Sequence, residues 1–395
     1  MKTTSEASPA ARPATAVPGE FRNAFEIGVR KTRRNIQALA DQCPLTSWSL
    51  DPEGNYARYP ESFFDIGNWT TSFFTGMALL AWQETEEDFF LQQTLLLAPL
   101  YREKVFTRSL NTHHDLGFLY SLYSVGLYRL TGGTEHRATG LRAAEVLAQR
   151  FNSRGNFIRA WGHMNTTEFD NMAIIDCLMN LPLLYWATAE SGDPRFRDLA
   201  IRHADMALAT FVRPDDSVYH AYRFDLATGR PLAGDTYGGC AVESHWARGA
   251  AWAIYGFALS YGHTQNAQYL TAARRLAAKF LACLDAEVVP MWDFKLTPSA
   301  PRIRDSSAGA VAVCGFQELL KHLPLDSELK TGARQLLLRL CSDAYLDRNE
   351  ACPGLLKFAM VGAENKGARN AYTSWGDYYL MEALARELGS EINFW

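Results

Sequence analysis

Residues 113–151, HHDLGFLYSLYSVGLYRLTGGTEHRATGLRAAEVLAQRF, contain the pattern that decides the fold. The part from Asp115 to Leu130 is nearly all apolar or small, which is typical of a helix buried inside a protein. The part from Glu135 to Phe151 is charged on one side only, which is typical of a helix that borders solvent. Because the link Thr131-Gly132-Gly133 is short, the two helices must be antiparallel neighbours. This stretch therefore predicts an inner helix followed by an outer helix.

The same alternation recurs along the chain, roughly every 60 to 70 residues. Six inner–outer pairs close most economically into a double-layered (α/α)6 barrel, an all-α six-hairpin toroid with long loops at its mouth. An open solenoid is the alternative, but an apolar inner helix in every pair favours closure. The twelve predicted helices span residues 20–42, 69–85, 87–107, 115–131, 134–152, 171–190, 193–212, 244–262, 264–285, 305–323, 325–346 and 374–389.

Composition limits the possible partners. The net charge is −4, with 39 basic and 43 acidic residues and no long run of one sign, so bulk charge favours neither nucleic acid nor an anionic membrane. No run approaches the ~20 apolar residues of a membrane span. Residues 1–19 are rich in Ser, Thr, Ala and Pro and are expected to form a disordered leader rather than a secretion signal. Residues 20–395 are expected to form one domain, either monomeric or homodimeric.

The cysteines indicate a reducing compartment. The seven Cys are scattered, with no CxxC pair and no Cys/His cluster at the spacing of metal ligands. They are typical of buried, reduced thiols in a cytoplasmic protein. We expect neither a metal nor another cofactor.

Two aspartates stand out at equivalent positions of successive repeats. Asp115 precedes an inner helix, where it could simply be an N-cap. Asp176 follows 61 positions later, between Ile175 and Cys177 in an apolar run. Desolvation there would raise its pKa and keep a carboxylic acid protonated near neutral pH. Two carboxylates that face one cavity are the minimal equipment for acid/base chemistry on a sugar; the alternative for Asp176 is a structural carboxylate bonded to backbone.

Other candidate residues cluster near the predicted mouth. Arg248 and Trp252 share one helical face, which suits a sugar carboxylate held against a ring, although simple Arg–Trp packing is equally compatible. His220 belongs to the alternating segment 217–224, a predicted β-strand whose turn covers 225–229. It could position sugar hydroxyls, as His114 could, although a lone His is more often structural. Asp305 is better explained as a helix cap.

Seven segments, in this order, resemble the unsaturated glucuronyl hydrolases of glycoside hydrolase family 88. The resemblance runs from about residue 65 to Trp395 and rests on HHDLGF (113–118), IIDCLMNLPLLYWA (174–187), SVYHAYRFD (217–225), WARGAAWAIYGFAL (246–259), VPMWDF (289–294), DSSAGAVAVCG (305–315) and WGDYYLMEAL (375–384). It implies an (α/α)6 barrel that removes a terminal 4,5-unsaturated uronic acid from oligosaccharides left by polysaccharide lyases. Protonation at C4, addition of water at C5 and ring opening would release the neighbouring sugar. No metal would be required.

The resemblance also implies roles for individual residues. Asp176 would be the general acid/base, and Asp115 the second essential carboxylate, holding sugar hydroxyls. The residues implied to line the sugar site are His114, Trp69, Trp161, His220, Arg248 and Trp252. Two departures concern the neighbouring sugar: Gly238 stands where many relatives have Gln, and residues 357–373 lack the sulfate-reading Ser/Lys pattern of some relatives. Lys366 and Arg369 of that loop predict a positive rim with a modest, salt-sensitive preference for anionic disaccharides.

Three other functions fit parts of this pattern. An unsaturated rhamnogalacturonyl hydrolase would share the barrel and the mechanism. A sugar 2-epimerase would use the same barrel but rely chiefly on paired His, and the Asp pair favours hydrolysis. A catalytically inactive glycan-binding toroid would not need Asp115 and Asp176.

Overall fold

The computed structural model describes residues 18–39, 49–50, 63–362, 370–391 and 394–395. The leader predicted for residues 1–19 lies outside these residues, except for its last two positions. The helices, in chain order, are α1 (Gly19–Leu39), α2 (Thr71–Thr85), α3 (Asp88–Leu95), α4 (Ala98–Phe106), α5 (Leu116–Tyr120), α6 (Gly126–Thr131), α7 (Thr134–Ala148), α8 (Leu181–Ser191), α9 (Pro194–Thr210), α10 (Ala247–Thr264), α11 (Ala267–Ala282), α12 (Ser306–His322), α13 (Ser327–Leu340) and α14 (Ser374–Glu387).

Six helical units form a closed inner ring. A π-helical turn, Ser121–Val125, joins α5 to α6, so these two act as one inner unit. Around the ring, α2, α5–α6, α8, α10, α12 and α14 each pack against the next, and α14 returns to α2. The predicted (α/α)6 toroid is therefore confirmed, and the solenoid is excluded.

Burial separates the inner helices from the outer ones. In α10 every residue from Ala247 to Ser260 is buried. In α11 the buried residues recur at helical spacing along one stripe: Tyr269, Ala272, Ala273, Leu276, Ala277 and Phe280. The outer layer consists of α1, α3–α4, α7, α9, α11 and α13, and α1 closes the sixth pair by packing on α14. None of the helices in the described ranges is long and apolar enough to cross a membrane.

Three predicted helices were wrong in extent. The helix predicted for 325–346 ends at Leu340. The helix predicted for 87–107 is two helices, because Pro99 lacks a backbone N–H and starts α4 at its first turn. The helix predicted for 171–190 begins only at Leu181, and Pro182 again occupies the first turn. Residues before it form a strand and a 3-10 turn, Ile175–Met179, because they pair with a neighbouring segment. Asp176 therefore lies on a 3-10 turn at the mouth and not on an α-helix.

Short strands complete the mouth. The predicted hairpin is confirmed and gains a third strand: β4 (Met172–Ile174) pairs with β5 (Ala221–Phe224), which pairs with β6 (Pro231–Asp235). Before them come β1 (Ser49–Leu50), β2 (Phe151–Asn152) and β3 (Phe157–Ile158), and β7 (Tyr372–Thr373) follows. The hairpin turn includes Gly229 at φ 75°, a left-handed conformation that glycine adopts without strain.

Candidate active site

A cavity of about 480 Å³ opens at the N-terminal ends of the inner helices, a size that suits a small sugar. Its lining includes Asp115, Asp176, Trp161, His220 and Arg248, which come from separate parts of the sequence. Because helix N-termini carry partial positive charge, several inner helices favour an anionic group at this mouth. The structure thus brings both predicted carboxylates into one cavity.

Asp115 immediately precedes α5, yet its side chain makes no capping hydrogen bond. One carboxylate oxygen, Oδ2, lies 3.0 Å from Nδ1 of His113, and the other, Oδ1, lies 3.4 Å from Nε2 of His114 and 3.3 Å from Nδ2 of Asn180. Burial would raise the pKa of Asp115, but the two histidines and the hydrogen bonds from His113 and Asn180 outweigh it and hold the pKa below its ordinary value. Asp115 is therefore an anion at neutral pH.

Asp176 lies in the opposite electrostatic setting. Its Oδ2 atom is buried without a hydrogen-bond partner in the described part of the chain, and Nε2 of His220 is 3.6 Å away. Burial and then the negative charge of Asp115 raise the pKa of Asp176 to about 7, although Arg248 opposes the shift. A carboxyl group with this pKa can both donate and accept a proton near neutral pH.

The three-stranded sheet explains how His220 reaches Asp176. Ile174 pairs with Ala221, and the Ile175 N–H donates to the His220 carbonyl at 2.9 Å. Nδ1 of His220 accepts the backbone N–H groups of Tyr237 and Gly238, at 3.0 and 2.8 Å. Any proton on the neutral ring is therefore on Nε2, which faces Asp176. Burial, assisted by Arg248 and His114, lowers the pKa of His220 to about 3, so the ring stays neutral.

Arg248 lines the cavity, but its terminal nitrogens already have partners. Nη1 donates to Asp305 at 2.7 Å and to the Met360 carbonyl, and Nη2 donates to the Val361 carbonyl at 2.6 Å. Asp305 also accepts the backbone N–H groups of Ser307 and Ala308, so its predicted role as a helix cap is confirmed. Arg248 thus fixes the 360–361 segment against α12 and contributes positive potential to the cavity.

Aromatic rings form the rest of the wall. Trp69 and Trp161, both predicted for the sugar site, line the cavity. Trp161 meets Tyr237 edge to face with ring centroids 4.8 Å apart, and Trp69 lies 5.0 Å from Trp375. Flat ring faces of this kind can pack against the C–H face of a sugar.

Two residues predicted for the site lie behind the cavity wall. Trp252 is fully buried between Phe118 and Tyr379, at centroid distances of 5.3 and 5.5 Å, and does not line the cavity. His114 is also fully buried, directly beneath Asp115. Burial lowers its pKa to about 4. Lys366 and Arg369 lie outside the described residues.

Sequence reasoning missed several residues that the structure brings to the site. His113 lines the cavity beside Asp115, as do Tyr237 and Trp246 next to His220. Arg150 is buried and donates to the carbonyl groups of Thr112 and Trp161, each at 2.7 Å, which ties the Asp115 loop to the Trp161 loop. For His113 the adjacency to Asp115 was an available signal; for Arg150 no local pattern indicated a role.

The site contains no recognisable metal centre: among the residues that the structure describes, no group of three or more His, Cys, Asp or Glu side chains could hold a metal ion.

Comparison with known proteins gives a consistent result. The sequence profile of Glycosyl Hydrolase Family 88 matches residues 52–337. The unsaturated glucuronyl hydrolase of Bacillus sp. (strain GL1) is 34% identical over 368 residues, which cover 92% of this chain and 96% of that protein. The unsaturated chondroitin disaccharide hydrolase of Streptococcus pyogenes serotype M1 is 35% identical, over 93% of this chain and 91% of its own. A crystal structure of the unsaturated glucuronyl hydrolase from Streptococcus agalactiae superposes with a TM-score of 0.87 at 31% identity, covering 95% of this chain and 94% of that one.

Proposed function

The chain belongs to glycoside hydrolase family 88, and on that premise we propose that it releases a terminal 4,5-unsaturated uronic acid by hydrating the C4=C5 double bond. Two relatives are named for unsaturated glucuronyl and unsaturated chondroitin disaccharide substrates. A short anionic oligosaccharide is therefore the substrate class, and the volume of the cavity suits one uronate residue.

The observation that carries this proposal is the contrast between Asp176 and Asp115. Asp176 lines the cavity, has a pKa of about 7 and carries a buried oxygen without a hydrogen-bond partner among the described residues, so it can deliver a proton to C4 of the uronate. The two electrons of the C4=C5 π bond form the new C–H bond, and positive charge develops at C5, shared with the ring oxygen. Asp115, held as an anion, binds sugar hydroxyl groups and favours that charge.

Water completes the reaction at the same carbon. It adds to C5 and returns a proton to the Asp176 carboxylate, which restores the catalyst. The resulting hemiketal opens by cleavage of the bond between C5 and the ring oxygen, which makes C5 a ketone and C1 a free hemiacetal. The hemiacetal then expels the neighbouring sugar as an alcohol. Because nothing attacks C1, the usual link between carboxylate separation and retention or inversion does not apply.

The remaining cavity residues orient the sugar. Trp69 and Trp161 offer ring faces, and His220 offers a neutral N–H next to Asp176. Arg248 holds the 360–361 segment and makes the potential around the uronate carboxylate more positive. His114 and Trp252 support this wall from behind.

The test is loss of the ultraviolet absorbance of the conjugated double bond when purified protein is incubated with lyase-generated disaccharides. Unsaturated glucuronyl disaccharides should lose absorbance and yield a new reducing end. Turnover only of an unsaturated galacturonyl–rhamnose disaccharide would favour the rhamnogalacturonyl alternative. No change with either substrate would refute the proposal.

The setting of the enzyme is also part of the proposal. Cys177, Cys314 and Cys341 are free and buried, which supports a reducing, cytoplasmic location. The closed ring supports a single catalytic domain over residues 20–395. That it acts as a monomer or homodimer and without a cofactor stays a prediction.

A further inference from the structure

Asn180 connects the two carboxylates of the site. It follows the 3-10 turn that bears Asp176, and it is fully buried. Its Oδ1 accepts the Phe118 N–H at 2.9 Å. Its Nδ2 lies 3.3 Å from Oδ1 of Asp115 and 3.3 Å from the backbone carbonyl of Asp176. One carboxamide thus contacts the start of α5, the Asp115 side chain and the Asp176 turn.

The orientation of this amide is determined by its partners. The Phe118 N–H can only donate, so it must face the oxygen of the amide. The nitrogen is then directed at Asp115 and the Asp176 carbonyl, both of which can only accept at neutral pH, because Asp115 is ionised. If the amide were flipped, its NH2 group would face the Phe118 N–H, donor against donor. Its oxygen would then face Asp115 and the Asp176 carbonyl, acceptor against acceptor. The amide is therefore a fixed donor to the Asp115 anion.

The backbone around Asn180 leaves no room for adjustment. A Cβ atom added to Gly117 would lie 2.3 Å from Cα of Asn180, so only glycine permits this contact between α5 and the turn before α8. Because the two segments touch at Gly117 and are hydrogen-bonded through Asn180, the positions of Asp115 and Asp176 depend on one another.

We propose that Asn180 is a positioning residue whose amide holds the Asp115 carboxylate in fixed register with the turn that bears Asp176. This inference rests on the proposed function, because it assigns Asn180 to the chemistry of that same pair. Displacement of one catalytic group by about 1 Å can lower a rate about 100-fold. Five other ionisable groups surround Asp115 and contribute to its electrostatic environment: His113, His114, Asp176, Cys177 and Arg150.

Asn180→Asp is the decisive variant because it is nearly isosteric and titratable. When its carboxyl group is protonated, the O–H can donate to Asp115 in place of the amide. When it ionises, two carboxylates face each other and Asp115 is repelled. The ratio of variant kcat to wild-type kcat should therefore rise at least about tenfold as the pH falls from about 8 to about 5. The folded fraction, from circular dichroism at each pH, corrects both values.

Asn180→Ala and Asn35→Ala form the matched pair. Asn180→Ala removes the donor without adding charge, so the acidic limb of its kcat profile should move to higher pH, with kcat lower by about 10- to 100-fold. Asn35 is another buried Asn, on α1, and its Nδ2 donates to the Pro353 carbonyl at 2.9 Å, away from the cavity. Asn35→Ala should lower Tm and leave the pH profile unchanged.

The outcomes separate this inference from the proposed function. If the wild-type protein does not act on unsaturated disaccharides, the proposed function itself fails. If the wild type is active, but the Asn180→Asp ratio is independent of pH and Asn180→Ala keeps the wild-type acidic limb, then Asn180 only fills space and the inference alone is overturned. If Asn180→Asp does not fold, the acidic limb of Asn180→Ala decides.

Discussion

Replacing Asp176 with Asn should make the protein more stable above neutral pH while nearly abolishing turnover. Asn has almost the same shape as Asp and cannot ionise or deliver a proton. General acid catalysis contributes about 10²- to 10⁴-fold, so kcat should fall by that factor. The gain in stability follows from the raised pKa of Asp176, because its native environment disfavours the anion.

The magnitude of the gain comes from the same shift. The pKa of Asp176 rises from 3.8 to about 7, and each unit corresponds to about 1.4 kcal/mol, which gives about 4 kcal/mol as the full penalty. Since the folded state binds this proton more tightly, the penalty is absent below about pH 4, grows as the pH rises and is complete above about pH 7. With an unfolding entropy of about 2 cal/mol/K per residue, the variant should melt about 5 °C higher at alkaline pH.

The assay is thermal unfolding of both proteins from about pH 4 to about pH 8, together with kcat on an unsaturated disaccharide. Asp377→Asn is the control. Burial also raises the pKa of Asp377 to about 7, but its two oxygens accept the Leu355 and Leu356 N–H groups at 3.0 and 2.8 Å. Asn can accept only one of these bonds, which offsets part of the relief from ionisation, so Asp377→Asn should gain less in Tm at alkaline pH than Asp176→Asn does and should retain activity.

A pH-independent difference in Tm between wild type and Asp176→Asn would contradict a raised pKa at Asp176. Retention of more than about a tenth of wild-type kcat by the folded variant would remove Asp176 from the role of proton donor.

Three further predictions follow from the site. The alkaline limb of the wild-type kcat profile should fall near pH 7. The residual activity of Asp115→Asn should decline at a lower pH than this, because the Asp115 charge raises the pKa of Asp176. An alkaline limb at the same pH in both proteins would show that the two groups are uncoupled. Arg248→Ala should destabilise the protein by about 3–5 kcal/mol, because it leaves Asp305 buried without its cation, and adding Asp305→Asn should partly restore Tm. An increase in KM without a loss of Tm would instead make Arg248 a direct substrate ligand. Glu168→Gln should raise kcat/KM for sulfated relative to unsulfated disaccharides by no more than about fivefold, and only at low salt, because Glu168 is an exposed acid in the cavity wall. Equal ratios at both salt concentrations would show that Glu168 does not affect the preference for charged substrates.

The barrel was predictable because the spacing of apolar residues along each helix indicates which of its sides are buried. An inner helix such as α10 has no polar side, and an outer helix such as α11 has one apolar stripe. The break at Pro99 was a local signal that the sequence already contained, whereas the prediction for 171–190 was wrong because a non-local contact determined the structure. Residues 172–174 are apolar enough for a buried helix, but they pair with Ala221–Phe224, about 50 positions later, and become a strand.

The candidate site was predictable only in part, for a similar reason. Asp115 and Asp176 could be paired because they occupy the same place in successive repeats. Arg150 could not be found, since its five-donor guanidinium is directed at carbonyl groups of loops whose conformation no local pattern encodes. Trp252 was assigned to the sugar site from the family resemblance, whereas its helical face was equally compatible with packing, and in the structure Trp252 meets Phe118 in the core.

The two aspartates differ in protonation state because their neighbouring groups differ. Both are buried, so desolvation alone would raise both pKa values. Asp115 is surrounded by donors, His113 and Asn180 among them, and remains an anion. Asp176 has an oxygen to which no group in the described ranges donates, and the negative charge of Asp115 raises its pKa further, so it retains its proton. The negative charge of Asp115 therefore helps to keep Asp176 protonated. A change that protonated Asp115 would also lower the proton affinity of Asp176, on which protonation at C4 depends.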